Sequence, residues 1–144
     1  MAEGLRYDAW ANELWIQTLP LFRDKIRAEN ILRHTVQAQW IWLNRVLGEE
    51  ETNPVPENLL EAVVSLNTAW QECLIPADPG AYVVYNKFDG EQCFSSVLEI
   101  CLHVINHGTY HRGHLRGLAE AEGLTDFPET DLIKFFRAFP SERV

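Results

Sequence analysis

Four of the five histidines of this 144-residue chain lie in one short segment, at His103, His107, His111 and His114. An α-helix places residues i and i+4 on one face, about 6 Å apart along its axis. Two imidazoles at that spacing can bind one metal ion, as in the H-E-x-x-H motif of metalloproteases. Here valine or glycine follows the first histidine of each such pair, where the motif has its catalytic glutamate. The pattern therefore predicts a metal site and excludes that protease class.

The spacing leaves two alternatives for the chelating pair. His103 and His111 would lie about 12 Å apart along a helix axis, too far for both to share one ion with His107. Either His103 and His107 or His107 and His111 can form the pair, and the spacing does not decide between them. In a third alternative no metal binds, and the imidazoles line a polar core or an exposed stripe.

A third ligand must come from another helix, and His34 is the one remaining histidine. Its segment also carries two tryptophans, Trp40 and Trp42. Three neutral imidazoles leave one coordination position open to water or substrate, which is typical of catalytic rather than structural zinc sites. We therefore expect His34 to be the third ligand of such a site.

Hydrophobic residues at helical spacing predict the elements that would carry these histidines. The prediction comprises four long helices and a short C-terminal helix, which cover about residues 5–19, 26 or 30–47, 57–74, 96–122 and 129–139. Pro20 and Gly48 favour the ends of the first two helices. Ser96 and Glu99 fit a capping box at the start of the fourth helix, and Gly123 follows its end.

Apolar stripes on two of these helices predict which side chains face the core. In the second helix the stripe comprises Val36, Trp40, Leu43 and Leu47. In the third helix it comprises Leu60, Val63, Val64, Leu66 and Trp70. Packing of such stripes against one another would hold the helices together.

Two short β-rich segments, residues 82–85 and 91–94, flank Asp89-Gly90 and predict a small hairpin. A lone hairpin is marginally stable in water, so we expect it to pack on the helices. Four long helices and one hairpin predict an all-α helical bundle. The breaks at residues 48–56, an acidic loop, and 76–80 are too short for interdomain linkers, so we expect a single domain over residues 1–144.

The composition limits the classes of partner. The chain carries 21 Asp and Glu against 12 Lys and Arg, a formal net charge of −9. Electrostatic binding of nucleic acid needs a basic face, and this composition does not favour one. An anionic membrane would repel the chain for the same reason. No segment predicts a signal peptide or a transmembrane helix. Cys73, Cys93 and Cys101 form no C-x-x-C pair, which favours free thiols buried as small apolar side chains. We therefore expect a cytoplasmic protein that binds neither nucleic acid nor membrane.

Several residues beside the histidines have structural interpretations. Gly108, Gly113 and Gly117 lie inside the predicted fourth helix, where each glycine costs about 1 kcal/mol relative to alanine. Close approach of a neighbouring helix or ligand would offset that cost, and for the last two we expect helix packing. Tyr110 and Arg112 point about 100° away from the adjacent histidine. We expect Tyr110 to pack and Arg112 to form an ion pair, and neither is assigned a catalytic role.

Three segments together resemble the DinB/YfiT-like family of metalloenzymes, and the resemblance runs over most of the chain. The opening helix contains YDAWAN at residues 7–12, which is similar to the "WAN" opening of the family. Residues 34–45, HTVQAQWIWLNR, are similar to its ligand-bearing second helix. Residues 106–113, NHGTYHRG, are close to its N-H-x-x-x-H-R-G-Q signature, the most specific of the three.

The resemblance implies an up-down four-helix bundle in which His34, His107 and His111 bind a divalent metal, zinc or nickel. It thereby selects His107 and His111 as the chelating pair and leaves His103 beside the metal or in the pocket. His114 stands where the family usually has glutamine, so it would either add a polar group near the metal or face outward. The wider superfamily includes thiol-dependent S-transferases and a maleylpyruvate isomerase, which use a low-molecular-weight thiol.

The leading hypothesis is a metal-dependent enzyme that transfers a low-molecular-weight thiol to an electrophilic small molecule. A bound cation would lower the pKa of a thiol or water and generate a nucleophile near neutral pH. A metal-dependent hydrolase and a non-catalytic, stress-associated metal-binding protein are the alternatives. Hydrolysis needs a base from elsewhere, because no Asp or Glu lies among the clustered histidines. The expected partners are a small-molecule substrate and, through exposed apolar stripes, a second copy of the chain in a homodimer.

Overall fold

The computed structural model describes residues 1–49 and 55–140, and most of the predicted acidic loop at residues 48–56 lies outside them. Its elements in chain order are α1 (Ala2–Thr18), a 3₁₀ turn (Leu19–Leu21), α2 (Lys25–Leu47), α3 (Leu59–Leu74), β1 (Tyr82–Asn86), β2 (Gln92–Ser96), α4 (Val97–Ala121) and α5 (Leu132–Ala138). The prediction of an all-α bundle with a small hairpin and a short C-terminal helix is confirmed.

The helix ends follow from capping residues. Gly48 adopts a left-handed φ of 69° after α2, and Gly123 has a φ of 77° just beyond α4. The predicted capping box is present, since the Ser96 hydroxyl accepts from the Glu99 backbone N–H while the Glu99 carboxylate accepts from that of Ser96. The start of α2 was predicted too late, because the Asp24 side chain caps the helix one residue before Lys25.

The four long helices pack around one hydrophobic core. Helix α2 lies against α4 and α3, and α1 lies against the same two helices. The largest fully buried side chains include Trp15 of α1, Trp70 of α3 and Phe22 from the segment that joins α1 to α2. No helix within the described residues is both long enough and apolar enough to cross a membrane.

The predicted core face of α3 was too wide. Val63, Leu66 and Trp70 are buried as predicted, whereas Leu60 is 46% and Val64 is 49% exposed. A helix turns by about 100° per residue, so these two side chains lie beside the buried row rather than in it. In α2 the same correction applies to the last residue of the stripe, because Leu47 is 42% exposed; Val36 and Leu43 are buried, and Trp40 is partly so.

The hairpin is antiparallel and packs on the helices, as predicted. Val84 pairs with Phe94 and Tyr85 with Cys93, and Gly90 completes the turn with a φ of 88°. The Tyr85 ring contacts Trp42 of α2 with the ring centroids 5.1 Å apart. The Arg45 guanidinium lies 4.5 Å from the Trp42 ring centroid and 4.7 Å from that of Tyr85. These contacts join the hairpin to the helix that carries His34.

The cysteines only partly match the prediction of buried side chains. Cys101 is fully buried, and burial raises the pKa of its thiol to about 11. Cys73 and Cys93 are only partly buried, and all three thiols are free. The prediction is thus confirmed for Cys101 and holds only in part for Cys73 in α3 and Cys93 in β2.

The capping box generates a test of the fold. Ser96→Ala removes the side-chain acceptor at the start of α4 and should lower the free energy of unfolding by about 1 kcal/mol. Ser65→Ala is the matched control, since Ser65 is exposed within α3, where alanine is the better helix former. Chemical denaturation followed by circular dichroism measures both variants. Equal stability of the two variants would contradict the assigned cap.

Candidate metal centre

Helices α2 and α4 bring three imidazoles together. His107 and His111 lie one turn apart on α4, and their Nε2 atoms are 3.1 Å from each other. The His34 ring, from α2, has its centroid 4.7 Å from that of His111 and 5.4 Å from that of His107. One ligand nitrogen from each of the three side chains lies within 4.8 Å of the other two. The convergence follows from the side-by-side packing of α2 and α4.

The donor set matches a nitrogen-binding divalent metal. Tetrahedral zinc with bonds of about 2.0–2.1 Å places its ligand nitrogens roughly 3.3 Å apart. The His107–His111 separation of 3.1 Å is close to that value, and a ligand nitrogen of His34 lies within 4.8 Å of both. Imidazole nitrogens suit zinc, copper, iron and nickel, whereas magnesium and calcium require oxygen ligands. The three residues thus fit a transition metal or zinc.

Electrostatics keep two of these imidazoles neutral. Burial, together with the smaller effects of the charges that His111, His103 and His34 would carry, lowers the pKa of His107 to about 4. The pKa of His111 is lowered by burial, with smaller effects from His34 and His114. Neutral imidazole is the form that binds metal, because its unprotonated nitrogen supplies the lone pair. Both side chains are therefore available as ligands at neutral pH.

His103 lies outside the convergent group. Its ring contacts Trp42 at a centroid distance of 5.1 Å and lies 5.6 Å from the ring of His107. Within the described residues, His34, His107 and His111 form the group that is compact enough to hold an ion. The geometry thus favours His107 and His111 over the alternative pair, while the assignment of the three as metal ligands stays a prediction.

A buried charge network lies directly behind the histidines of α4. Arg112 Nη1 donates to Asp8 Oδ1 at 2.6 Å and to Asn12 Oδ1 at 2.8 Å. Gln39 of α2 donates to Asp8 Oδ2 at 2.8 Å. The Asp8 and Arg112 side chains are only 1% and 3% exposed. The predicted ion pair of Arg112 is therefore confirmed, and it joins α1, α2 and α4.

Gly108 is the glycine of α4 that close packing requires. A Cβ at this position would overlap Asp8 Oδ1 and lie 2.9 Å from Arg112 Nη1. The packing predicted for Gly113 and Gly117 is wrong, because a Cβ at either position would meet nothing within 4 Å.

The sequence analysis did not identify Asp8 as part of this network. The one signal was that Gly108 and Arg112 share the four-residue spacing of His107 and His111, which places them in a second row on the same helix.

Tyr110 does not pack into the interior as predicted. Its side chain is 73% exposed, and its ring meets the edge of His111 at a centroid distance of 5.2 Å. The helical rotation that separates it from His111 turns it towards solvent rather than towards α1 or α2. It therefore borders the histidine cluster from outside.

Comparison with known proteins gives one match. A family model described as the DinB family matches residues 21–138. The matched range contains α2, α3, the hairpin, α4 and α5, and hence all three convergent histidines, while Asp8 and α1 precede it. Neither the curated proteins nor the solved structures include a match to the chain.

The ligand assignment of the histidine cluster can be tested by measuring zinc affinity. His107→Ala should lower the affinity for zinc by more than about 100-fold, since loss of a ligand costs more than loss of a supporting residue. His103→Ala removes an imidazole from the same helix and should keep the affinity, because that ring lies against Trp42. Competition with a chromophoric chelator measures both affinities. Retention of zinc by the His107 variant would contradict the ligand assignment.

The buried network generates a second test. Gly108→Ala should lower the free energy of unfolding by about 2 kcal/mol, because the new Cβ forces the buried ion pair apart. This net value already includes a gain of about 1 kcal/mol, because alanine has the better helix propensity. Gly113→Ala is the matched control and should stabilise the protein by up to about 1 kcal/mol, since open space surrounds that position. Equal stability changes in the two variants would contradict the role of Gly108.

Proposed function

The chain belongs to the DinB family, and we propose that it is a metal-dependent enzyme whose His34, His107 and His111 hold a divalent cation. The observation that carries the proposal is the convergence of three imidazoles from two helices, two of them with lowered pKa values. Three protein ligands leave a coordination position for a small molecule, as catalytic sites do. The nitrogen donors are compatible with zinc or nickel, the cations that the resemblance to the family implies.

A cavity adjoins the proposed ligands and gives a small molecule room to bind. Its volume is about 490 Å³, and its walls include His34 and His111. Pockets of about 300–1,000 Å³ are typical of small-molecule sites in proteins. The open side of the histidine cluster therefore faces a space of suitable size rather than the packed core.

Thiol transfer is the reaction that these residues support best. A bound divalent cation lowers the pKa of a thiol, so that thiolate is available at neutral pH. The thiolate sulfur would form a bond to the electrophilic carbon, whose leaving group departs with its electron pair. Hydrolysis would need a base, and Asp24, the acidic residue in the cavity wall, uses Oδ1 to accept the backbone N–H of Arg27. This leaves hydrolysis as the weaker candidate.

The proposed reaction also fits a cytoplasmic protein. All three cysteines of the chain are free thiols. Free thiols and low-molecular-weight thiol cofactors persist together in the reducing cytoplasm. We therefore propose a cytoplasmic location, with a small molecule as the substrate.

Turnover of a chlorodinitrobenzene electrophile tests the proposal. The zinc- or nickel-loaded protein should release chloride and form the thioether with bacillithiol, mycothiol or glutathione, and the metal-free protein should do neither. His34→Ala should lose at least about 100-fold in rate, in step with its loss of metal. If the metal-loaded protein instead hydrolyses esters or amides from a test panel without any thiol, the hydrolase alternative would be favoured over thiol transfer. Metal binding without turnover across both panels would contradict an enzymatic function.

A further inference from the structure

The cavity beside the three histidines has a wall that the metal proposal does not explain. This wall is formed by the first two turns of α2 and includes Ile26, Arg27 and Ile31, which lie beside His34 of the same helix and His111 of α4. A molecule that binds at the histidines and extends along the cavity contacts this wall. The chemistry of the α2 wall therefore restricts what the cavity can bind.

Arg27 brings a guanidinium without an ion pair among the described residues to this wall. Two other arginines of this region are engaged, since Arg23 donates to the Glu122 carbonyl oxygen and Arg33 pairs with Glu29. For the Arg27 guanidinium the described residues provide no ion pair within 4.0 Å.

Apart from its histidines, the cavity lining holds one basic and one acidic side chain. Asp24 is its acidic residue, and Asp24 Oδ1 accepts the backbone N–H of Arg27 at 3.0 Å. A carboxylate in this capping position interacts with the partial positive charge of the helix N-terminus. His114 adds a further imidazole, which can donate a hydrogen bond. With a divalent cation at the histidines, the cavity as a whole is positive.

Two isoleucines give the same wall an apolar section. Ile26 is 77% exposed, and Ile31 lies one further turn along α2, nearer to His34. Exposed apolar area next to a charged group suits a ligand with a hydrocarbon segment and a charged end. Arg27 and His34 are seven residues apart, about 10 Å along the helix axis, and the long arginine side chain shortens the distance that a ligand must span.

We infer that the small molecule bound here carries a carboxylate, joined to its reacting atom by a short apolar segment, and that Arg27 binds this carboxylate. The inference rests on the proposed function, because it takes the reacting end of the molecule to lie at the histidines. Guanidinium and carboxylate form paired hydrogen bonds in a planar arrangement, which favours this ligand class over an alcohol of equal length.

Two thiols of equal length provide the test, 6-mercaptohexanoate and 6-mercaptohexanol. The protein is loaded with cobalt(II), because thiolate binding to cobalt produces a near-ultraviolet absorption band that reports binding without turnover. The carboxylate thiol should bind about fivefold more tightly than the alcohol thiol at low ionic strength. Arg27→Gln should remove this preference. Lys25→Gln makes the same change of charge two residues away, outside the cavity wall, and should retain it.

The outcomes separate the inference from the proposed function. Equal affinity of the wild type for the two thiols, or a preference that survives Arg27→Gln, would overturn the inference and leave thiol binding intact. Absence of the absorption band with both thiols would overturn thiol transfer. In that case calorimetry with hexanoate and hexanol decides the inference: a preference for hexanoate that Arg27→Gln removes supports it, and equal binding of the two, or none, overturns it.

Discussion

The buried ion pair between Asp8 and Arg112 determines how α1, α2 and α4 can approach one another. Its two charges are withdrawn from water, Gln39 donates a further hydrogen bond to Asp8, and Asn12 accepts one from Arg112. Because a buried charge without its partner is costly, the three helices are held at the separation that keeps the network intact. The same separation sets the distance between His34 on α2 and the histidines on α4.

Helix α4 serves both arrangements through two parallel rows of residues. His107 and His111 face α2, while Gly108 and Arg112, one position further along the chain, face the carboxylate of Asp8. A glycine is needed at the first position of the inner row, because a side chain there would displace the carboxylate. The charge of Asp8 also acts on His107, whose pKa it raises against the larger lowering by burial. The histidine cluster and the interior network are thus neighbours on one helix rather than separate features.

Local signals predicted the helices well and the contacts between them less well. The Ser96–Glu99 capping box, Gly48 and the Asp89-Gly90 turn depend on residues close in sequence, so the chain alone was sufficient for them. Asp8 and Arg112 are 104 positions apart, and no local pattern links them. Whether His103 or His111 pairs with His107 depends on where α2 crosses α4, and the spacing of histidines along the sequence does not determine that crossing. The approach of Arg27 to the histidine cavity depends on the same crossing.

X-ray absorption spectroscopy of the zinc-loaded protein tests the central claim most directly, because it reports the atoms bound to the metal. The account predicts one zinc per chain with three imidazole nitrogens at about 2.0–2.1 Å and a further light atom from solvent. The same measurement on His34→Ala should show two imidazoles. A sulfur shell at about 2.3 Å, or a spectrum unchanged by the loss of His34, would contradict a site built from His34, His107 and His111.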